Sequence, residues 1–373
     1  MTGATGFVGG HVARALVERG DEVRVAFRDE ARLARLAGLQ VDTVKADAMD
    51  RAAVRRAFKG CELVFHSVGY VASSPRERVW QVNAMSPRLA VEAAAAEDVP
   101  RVVLTSSVAG IGPVPPGEVG TEEDHYRGGG LGLVYADAKH EGEVEALAAG
   151  ARTGVEVVVV NPAYVLGVPI DRSQPGETST RTVGNYLRGR LPAVVDGETN
   201  IVDVRDVADG HLLAAEKGRP GERYVLGGHD ISWVDLLERV ADLSDVHHPV
   251  GVVSAGVARA ARVAEGLGTP MPVASEGMVL MAQNWRYSSR KARRELGYRT
   301  RALDETLRET IDWYRELIDA GVLDTGMSRL SLAGTGMRLA GRTGLLRGVG
   351  LAERISGRRL LAGSAGRRRT GRG

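Results

Sequence analysis

Tyr135 and Lys139 sit four residues apart in Tyr135-Ala136-Asp137-Ala138-Lys139 and are the pair whose chemistry can be named first. At that spacing both side chains leave one face of a helix. A phenol titrates near 10, and bringing it to work near pH 7 takes about 4 kcal/mol. A neighbouring ammonium favours the phenolate and supplies part of that. Such a pair suits a proton delivered to, or taken from, an oxygen atom. A Tyr-x-x-x-Lys match arises often by chance, so its weight comes from what surrounds it. Upstream, Arg101-Val102-Val103-Leu104 reads as a strand that runs into three hydroxyls, Thr105-Ser106-Ser107.

The elements that must position this pair begin at the start of the chain. Thr2-Gly3-Ala4-Thr5-Gly6-Phe7-Val8-Gly9-Gly10 has glycines at 3, 6 and 9 and leads into an apolar helical stretch. A turn of this kind lets the backbone approach a pyrophosphate, and the N-terminus of the helix it opens offers N–H groups and a positive dipole end. The strand Glu22–Phe27 ends at Arg28-Asp29. In dinucleotide folds a residue about 20 positions past the glycines reads the adenosine ribose, an acid for a 2′-hydroxyl and an Arg for a 2′-phosphate. Arg28 therefore favours NADP(H), and Asp29 beside it leaves NAD(H) open. Val41–Asp47 gives a third strand whose closing Asp47-Ala48 is placed to meet the adenine. Leu63–Gly69 is a short buried strand ending in Val68-Gly69, small enough for close approach to a cofactor. Helical stretches at Arg51–Phe58 and Val82–Ala96 alternate with these strands, which predicts an α/β fold with a parallel, doubly wound sheet.

The totals exclude several classes. A chain of 373 residues with 43% hydrophobic content fits a two-part enzyme plus an extra segment. No apolar run is long enough to span a bilayer and no leader pattern stands at the start, so the expected location is cytoplasmic. Cys61 has no partner for a disulfide or a structural zinc site, and His247-His248 lacks nearby ligands, so no metal is expected. From Met327 onward eleven Arg face one Glu, a net of +10, so the overall +2 leaves −8 for residues 1–326. An acidic body does not suit nucleic acid. Asp206 reads as a helix N-cap with Asp209 at the third position. Ser288-Ser289 reads as the cap of a helix over 290–296 that Gly297 ends. Asp304–Ile318 carries Leu307, Ile311, Tyr314 and Ile318 on one stripe and is a packing helix.

Taken together, these residues resemble the extended short-chain dehydrogenase/reductase superfamily, also described as NAD-dependent epimerases/dehydratases. The resemblance runs from Met1 to about Leu317. It rests on the glycine turn, Ala46-Asp47, Asn83, Thr105-Ser106-Ser107, Tyr135-x-x-x-Lys139 and Asn161-Pro162. It implies a Rossmann-type domain over 1–165 and a smaller substrate lobe over 166–326, from which 201–215 returns to the core. It also implies catalytic roles for Ser107, Tyr135 and Lys139. Ser107 rather than Ser106 would polarise the substrate oxygen, Tyr135 would act as acid/base, and Lys139 would also hold the nicotinamide ribose. Asn83 would brace the site. The implied cofactor contacts are Gly3, Thr5, Gly6, Phe7, Val8, Gly9, Arg28, Asp47, Ala48, Val68, Gly69, Thr105, Tyr135, Lys139, Pro162 and Val165.

Asn161–Gly167 looks like dihydroflavonol 4-reductase and hydroxysteroid dehydrogenase relatives. Val202–Ala208 with Gly221–Gly228 is similar to a bacterial subgroup labelled hopanoid-associated sugar epimerases. The favoured activity is reduction of a ketone or aldehyde on a mid-sized apolar substrate, or the reverse oxidation. A sugar or nucleotide-sugar epimerase or dehydratase with tightly bound NAD is the alternative. A non-catalytic NADP(H)-sensing protein is a third reading, opposed by the intact Ser107, Tyr135 and Lys139. A homodimer fits the family.

Two departures from the family pattern carry expectations of their own. The superfamily has a strand of about five residues before the glycine turn, central in the sheet order 3-2-1-4-5-6, and here only Met1 precedes Thr2. The first strand is thus expected to be truncated, leaving backbone groups unpaired at mid-sheet, with Met1 as a misassigned start where relatives carry Val. The stretch 327–373 mixes Arg with Leu pairs and many glycines. It is expected to be a disordered basic tail, with weak contact to an anionic membrane as its functional alternative.

Overall fold

The protein is described here by a computed structural model over residues 1–176, 179–258 and 275–325. The basic tail lies outside the described residues. In chain order the strands are β1 (Arg24–Phe27), β2 (Asp42–Lys45), β3 (Val64–His66), β4 (Arg101–Thr105), β5 (Glu156–Pro162) and β6 (Tyr164–Leu166). They continue with β7 (Ala193–Val195), β8 (Glu198–Asp203), β9 (Arg223–Leu226), β10 (His229–Ser232) and β11 (Gly251–Val253). The helices used below are α1 (Phe7–Arg19), α2 (Arg51–Phe58), α3 (Arg76–Trp80), α4 (Ser86–Ala96), α5 (Val108–Ile111) and α6 (Val134–Thr153). After them come α7 (Arg181–Leu187), α8 (Val204–Lys217) and α9 (Trp233–Ser244).

β1 and β2 pair in parallel, and β3-β4-β5-β9 form a second parallel block. Two residues join the blocks. Thr2 bridges Ala26 on one side and His66 on the other. Its N–H donates to Phe65 O at 3.0 Å, its carbonyl accepts from Ser67 N at 3.1 Å, and Met1 O accepts from Ala26 N at 2.8 Å. The Met1 amino group donates to Arg24 O, and burial pushes its pKa down to about 6. The strand order is therefore that of a doubly wound nucleotide-binding sheet, with a two-residue strand at its centre.

Alternation along the strands explains why both faces are covered. In β5, Val158 and Val160 join the core formed with α1 and α8, while Val157 and Val159 join the core formed with α2, α4 and α6. β4 divides likewise, with Val103 on the first face and Val102 and Leu104 on the second. Strands buried on both faces read as continuous Val/Leu runs, and these do.

Past Ala163 the chain leaves this sheet. β6, β8 and β10 form a second sheet, with β6 parallel and β10 antiparallel to β8, and β7 pairs with β11. Leu166, Val183, Trp233, Leu236, Leu307, Ile311 and Trp313 form a separate core between this sheet, α7, α9 and the helix Leu303–Asp319. The chain then returns through α8, and the return reaches β9, which pairs with β5.

Two caps differ from expectation. α8 is capped by Asp203, whose carboxylate accepts from Arg205 N at 2.8 Å, because β8 runs straight into the helix at that residue. Asp206, expected as the cap, is buried in the first turn, where it accepts from Arg301 N at 2.8 Å and pairs with the Arg301 guanidinium. Ser289 stands at the N-cap of Arg290–Leu296, but its hydroxyl bonds Gly227, donating to the Gly227 carbonyl at 2.8 Å, and Ser288 approaches Arg290 N instead. Gly297 ends that helix at φ +78° as expected.

Candidate active site

The glycine turn is a steric necessity. Gly3 has φ +78°, and a Cβ on it would lie 2.5 Å from the Ser67 carbonyl carbon and oxygen. A Cβ on Gly9 would overlap the Gly3 carbonyl oxygen. α1 can therefore seat its first turn directly on the loop. Gly6 is its N-cap and no side chain caps it, so the N–H groups at Phe7, Val8 and Gly9 face outward as donors to an external acceptor. Thr5 O accepts from Arg35 at 3.5 Å. Arg28 is exposed just past β1, and Asp47 accepts from Met49 N at 2.9 Å with Ala48 between them. Val68 and Gly69 follow β3, and a Cβ on Gly69 would lie 3.4 Å from Lys139 Nζ. These residues line one edge of the sheet, at the carboxyl ends of β1, β2 and β3, with Pro162 closing β5 and the buried Val165 in β6.

At the end of β4, Ser107 caps the short helix α5, accepting from Ala109 N at 3.1 Å, and it interacts with the Tyr135 hydroxyl. Burial pushes the Tyr135 phenol up to about 12, and Ser107 draws it partly back. Lys139, one turn along α6, is buried and donates to Thr105 O at 3.1 Å. Burial pushes its ammonium down to about 8, opposed by Glu143 one further turn along. The structure thus gathers Ser107, Tyr135 and Lys139 beside the glycine loop's sheet edge.

Two buried histidines set the direction of hydrogen bonds beneath this edge. His211 Nδ1 lies 2.7 Å from Val207 O, which can only accept, so the proton sits on Nδ1. Its Nε2 then accepts from Thr105 Oγ1 at 2.7 Å, and Thr105 in turn accepts from Ser67 Oγ at 2.7 Å. The Thr105 hydroxyl is thus committed to these two partners. His66 Nε2 lies 3.0 Å from Ser86 Oγ, which donates to Val82 O at 2.6 Å, so His66 donates to Ser86 and accepts from Thr2 Oγ1 at 2.9 Å. Burial pushes His211 down to about 4 and His66 down to about 3, so both are neutral.

Asn83, expected to brace the site, holds backbone just outside the strands. Its side chain accepts from Tyr70 N at 3.1 Å and donates to Tyr70 O at 2.9 Å and Val79 O at 2.8 Å, fixing the segment after Gly69. It does so from a π turn, Gln81–Met85, between α3 and α4. The sequence pattern suggested plain helix from Val82. Pro87 accounts for the difference: it has no N–H for the Asn83 carbonyl, and its ring crowds that carbonyl. α6 comes so close here that a Cβ on Gly142 would overlap Asn83 O.

Several participants carry no motif. Glu143 is buried, accepting from Ser106 Oγ and from Asn161 Nδ2 at 2.6 Å. Asn161 also donates to Ser107 O at 3.0 Å. Glu276 reaches from the second lobe to accept from Val134 N at 2.9 Å, next to Tyr135. Only the eight-residue spacing of Glu143 from Tyr135 was available as a signal, and Glu141 and Glu145 share that helix. His248 bonds Leu187 O at 3.1 Å and Cys61 Sγ lies 3.7 Å from Ala57 O. Among the described residues no group of three His, Cys, Asp or Glu could hold a metal. No helix among them is long and apolar enough to cross a membrane.

A parallel doubly wound sheet with a side-chain-free glycine cradle at its edge, and a Tyr–Lys pair beside it, defines a dinucleotide-dependent enzyme fold. The cradle fits such a cofactor, since close backbone packing at Gly3 and Gly9 sets the uncapped N-terminus of α1 against the loop, where its first N–H groups are left for a phosphate. The chain belongs to the NAD dependent epimerase/dehydratase family, whose model matches residues 1–227. It is 32% identical over 327 residues to a putative dihydroflavonol 4-reductase from Synechocystis, covering 84% of this chain and 94% of that one. It is 30% identical over 327 residues to sterol demethylase protein B from Methylococcus capsulatus, covering 85% and 98%. The crystal structure of a nucleoside-diphosphate-sugar epimerase from Pseudomonas aeruginosa superposes with a TM-score of 0.70 at 30% identity, covering 87% of this chain and 98% of that one.

Proposed function

We propose that this protein is an NADP(H)-dependent oxidoreductase that reduces a ketone or aldehyde on a mid-sized apolar molecule, or oxidises the alcohol. The observation that carries the reading is the meeting of Ser107, Tyr135 and Lys139 beside a cradle built for a dinucleotide. The cofactor would supply or take the hydride. The chain's own residues handle the oxygen. Ser107 donates a hydrogen bond to the carbonyl oxygen and orients it. Tyr135 gives that oxygen a proton during reduction and removes one during oxidation. Lys139, as a cation in a dry site, favours the phenolate that follows proton donation.

NADP(H) is favoured by what Asp29 does. An acid at this position would read a 2′-hydroxyl, yet Asp29 is spent as a cap, accepting from Ala31 N at 3.1 Å and pairing with Arg32 at 3.8 Å. Arg28 remains exposed beside it, and Arg35 leans on Thr5. An uncharged substrate is supported by four arginines among the described residues of the second lobe. Arg172 pairs with Glu316, Arg188 and Arg190 with Asp324, and Arg301 with Asp206. These four are held by carboxylates rather than left for a sugar-nucleotide diphosphate. Similarity to the Pseudomonas epimerase supports the second reading, a nucleotide-sugar epimerase or dehydratase.

Titrating the purified protein with NADPH and NADH, followed by nicotinamide fluorescence, tests the choice. Reversible binding that prefers NADPH, with turnover of apolar carbonyl compounds, supports the reductase. NAD that co-purifies and does not exchange overturns it in favour of the epimerase.

A further inference from the structure

Glu143 is 2% exposed, and nothing in the chemistry above gives it a task. A carboxylate at that depth is costly unless fully partnered. Its partners come from three strands. Ser106 at the end of β4 and Asn161 in β5 both donate to Oε1, and Arg223 of β9 places a guanidinium nitrogen 3.5 Å from Oε2. A Cβ on Gly110 would lie 2.7 Å from Oε1, so a side chain there would press on the carboxylate. Tyr135, Lys139 and Glu143 follow one another at successive four-residue steps, so all three share one stripe of α6. Lys139 and Glu143 are the buried charges of that stripe, and Lys139 donates only to a neutral carbonyl, Thr105 O.

We propose that Glu143 is a positioning residue: a fixed counter-charge, held by Ser106, Asn161 and Arg223, that keeps Lys139 an ammonium and so keeps a positive charge available to Tyr135. The part concerning Tyr135 rests on the oxidoreductase reading; the part concerning the charge of Lys139 does not. The groups facing Lys139 are Glu143 on α6, His66 on β3 and the Thr105 carbonyl on β4, with Tyr135 on the same stripe of α6, while His140 acts on Glu143 and bonds Gly110 O. Arg223 on β9 faces Glu143 from the far side. Of the side chains, Glu143 is the one that favours the ammonium: burial draws Lys139 down, Glu143 draws it back, and the balance stands at about 8. Lys139 in turn helps hold His66 neutral. Burial raises the Glu143 carboxyl, while Ser106, Arg223 and Asn161 hold it down.

The test is titration of full-length protein carrying 13Cε-labelled lysine, without added cofactor, with Lys139 assigned from Lys139→Arg. Glu143→Gln keeps an oxygen for Ser106 and Asn161 but removes the charge. The Lys139 midpoint is expected to fall by about one pH unit or more, a tenfold loss of proton affinity. Glu143→Asp is expected to restore part of it. Arg223→Gln, which alters a partly exposed side chain, leaves the Glu143 charge less compensated and is expected to move the midpoint the other way, upward and by less; should Glu143→Gln fail to fold, a smaller fall in Glu143→Asp decides the matter. In turnover, the rising limb of kcat/KM for alcohol oxidation is expected to move to higher pH in Glu143→Gln with cofactor affinity little changed. A Lys139 midpoint that stays at the parental pH in the folded variants overturns the proposal. A shifted midpoint in a protein that proves inactive as an oxidoreductase would sustain Glu143's role while overturning the functional reading.

Discussion

Gly9 of α1 backs onto Gly3 so closely that a methyl group at position 9 would occupy the space of the Gly3 carbonyl oxygen. The obstacle is backbone and cannot swing aside. Gly9→Ala is therefore expected to displace the loop or the helix. The cost is roughly 2 kcal/mol of stability, the usual size for forced overpacking, with loss of NADPH binding beyond that. Urea unfolding and nicotinamide fluorescence on the same sample check both. Parental affinity in Gly9→Ala would mean that the cofactor does not bind against this loop.

Tyr135→Phe keeps the ring and removes the proton. Turnover is expected to fall about 100- to 10,000-fold, the range for a positioned acid/base, while NADPH affinity stays within a few-fold. Its pH dependence has a definite sign. With the phenol pushed up to about 12 in the cofactor-free site, the reduction needs protonated Tyr135 and persists to high pH. Oxidation needs the phenolate and rises with pH. Opposite slopes in the two directions are the signature, and equal slopes would remove Tyr135 from the proton step.

Arg28→Ala separates the two cofactors. NADPH affinity is expected to drop about tenfold or more, near 1.4 kcal/mol, with NADH affinity unchanged. Equal losses for both would place Arg28 outside the ribose site.

His11, His66 and His211 are all buried, and burial pushes them down to about 4, about 3 and about 4. Unfolded histidine titrates near 6.5. The folded state therefore refuses protons that the unfolded chain accepts as pH falls below that value. Stability contributed by keeping the three rings neutral is complete above about 6.5 and is lost progressively toward about 4. Imidazole 15N shifts at pH 5.5 are expected to show three neutral rings, with the proton of His211 on Nδ1 and that of His66 on Nε2. A charged His211 at that pH would break the Ser67–Thr105–His211 direction derived above.

Local pattern was enough for much of this fold. The Val runs of β4 and β5, the glycine spacing and the Tyr135–Lys139 step all act within a few residues, so sequence order carries them. What escaped the sequence acts across it. His66 finds Ser86 twenty residues on, and Thr105 finds His211 more than a hundred residues away. Asp29 kept a second reading open beside the favoured Arg28, and only the 3₁₀ turn at Glu30–Leu36 shows its carboxylate spent as a cap. Asp203 took the cap expected of Asp206 because only the sheet determines where β8 stops and α8 begins. Glu143 was hidden for a different reason: on a helix with several glutamates, nothing local marks the one that faces inward.

The π turn at Gln81–Met85 fixes the length of its own segment. Such a turn is a helix holding one residue more than regular winding allows. Deleting a single residue there would let regular winding resume and would remove the turn from which Asn83 now reaches its partners. Asn83 would swing off the Tyr70 backbone, and a different atom would meet Gly142. Surface loops of this fold can gain or lose residues with little consequence, whereas a change in count here would disturb the buried Val82, Asn83 and Ala84. Related chains are therefore expected to vary in composition between Arg76 and Ala96 but to keep the spacing from Asn83 to Pro87 intact.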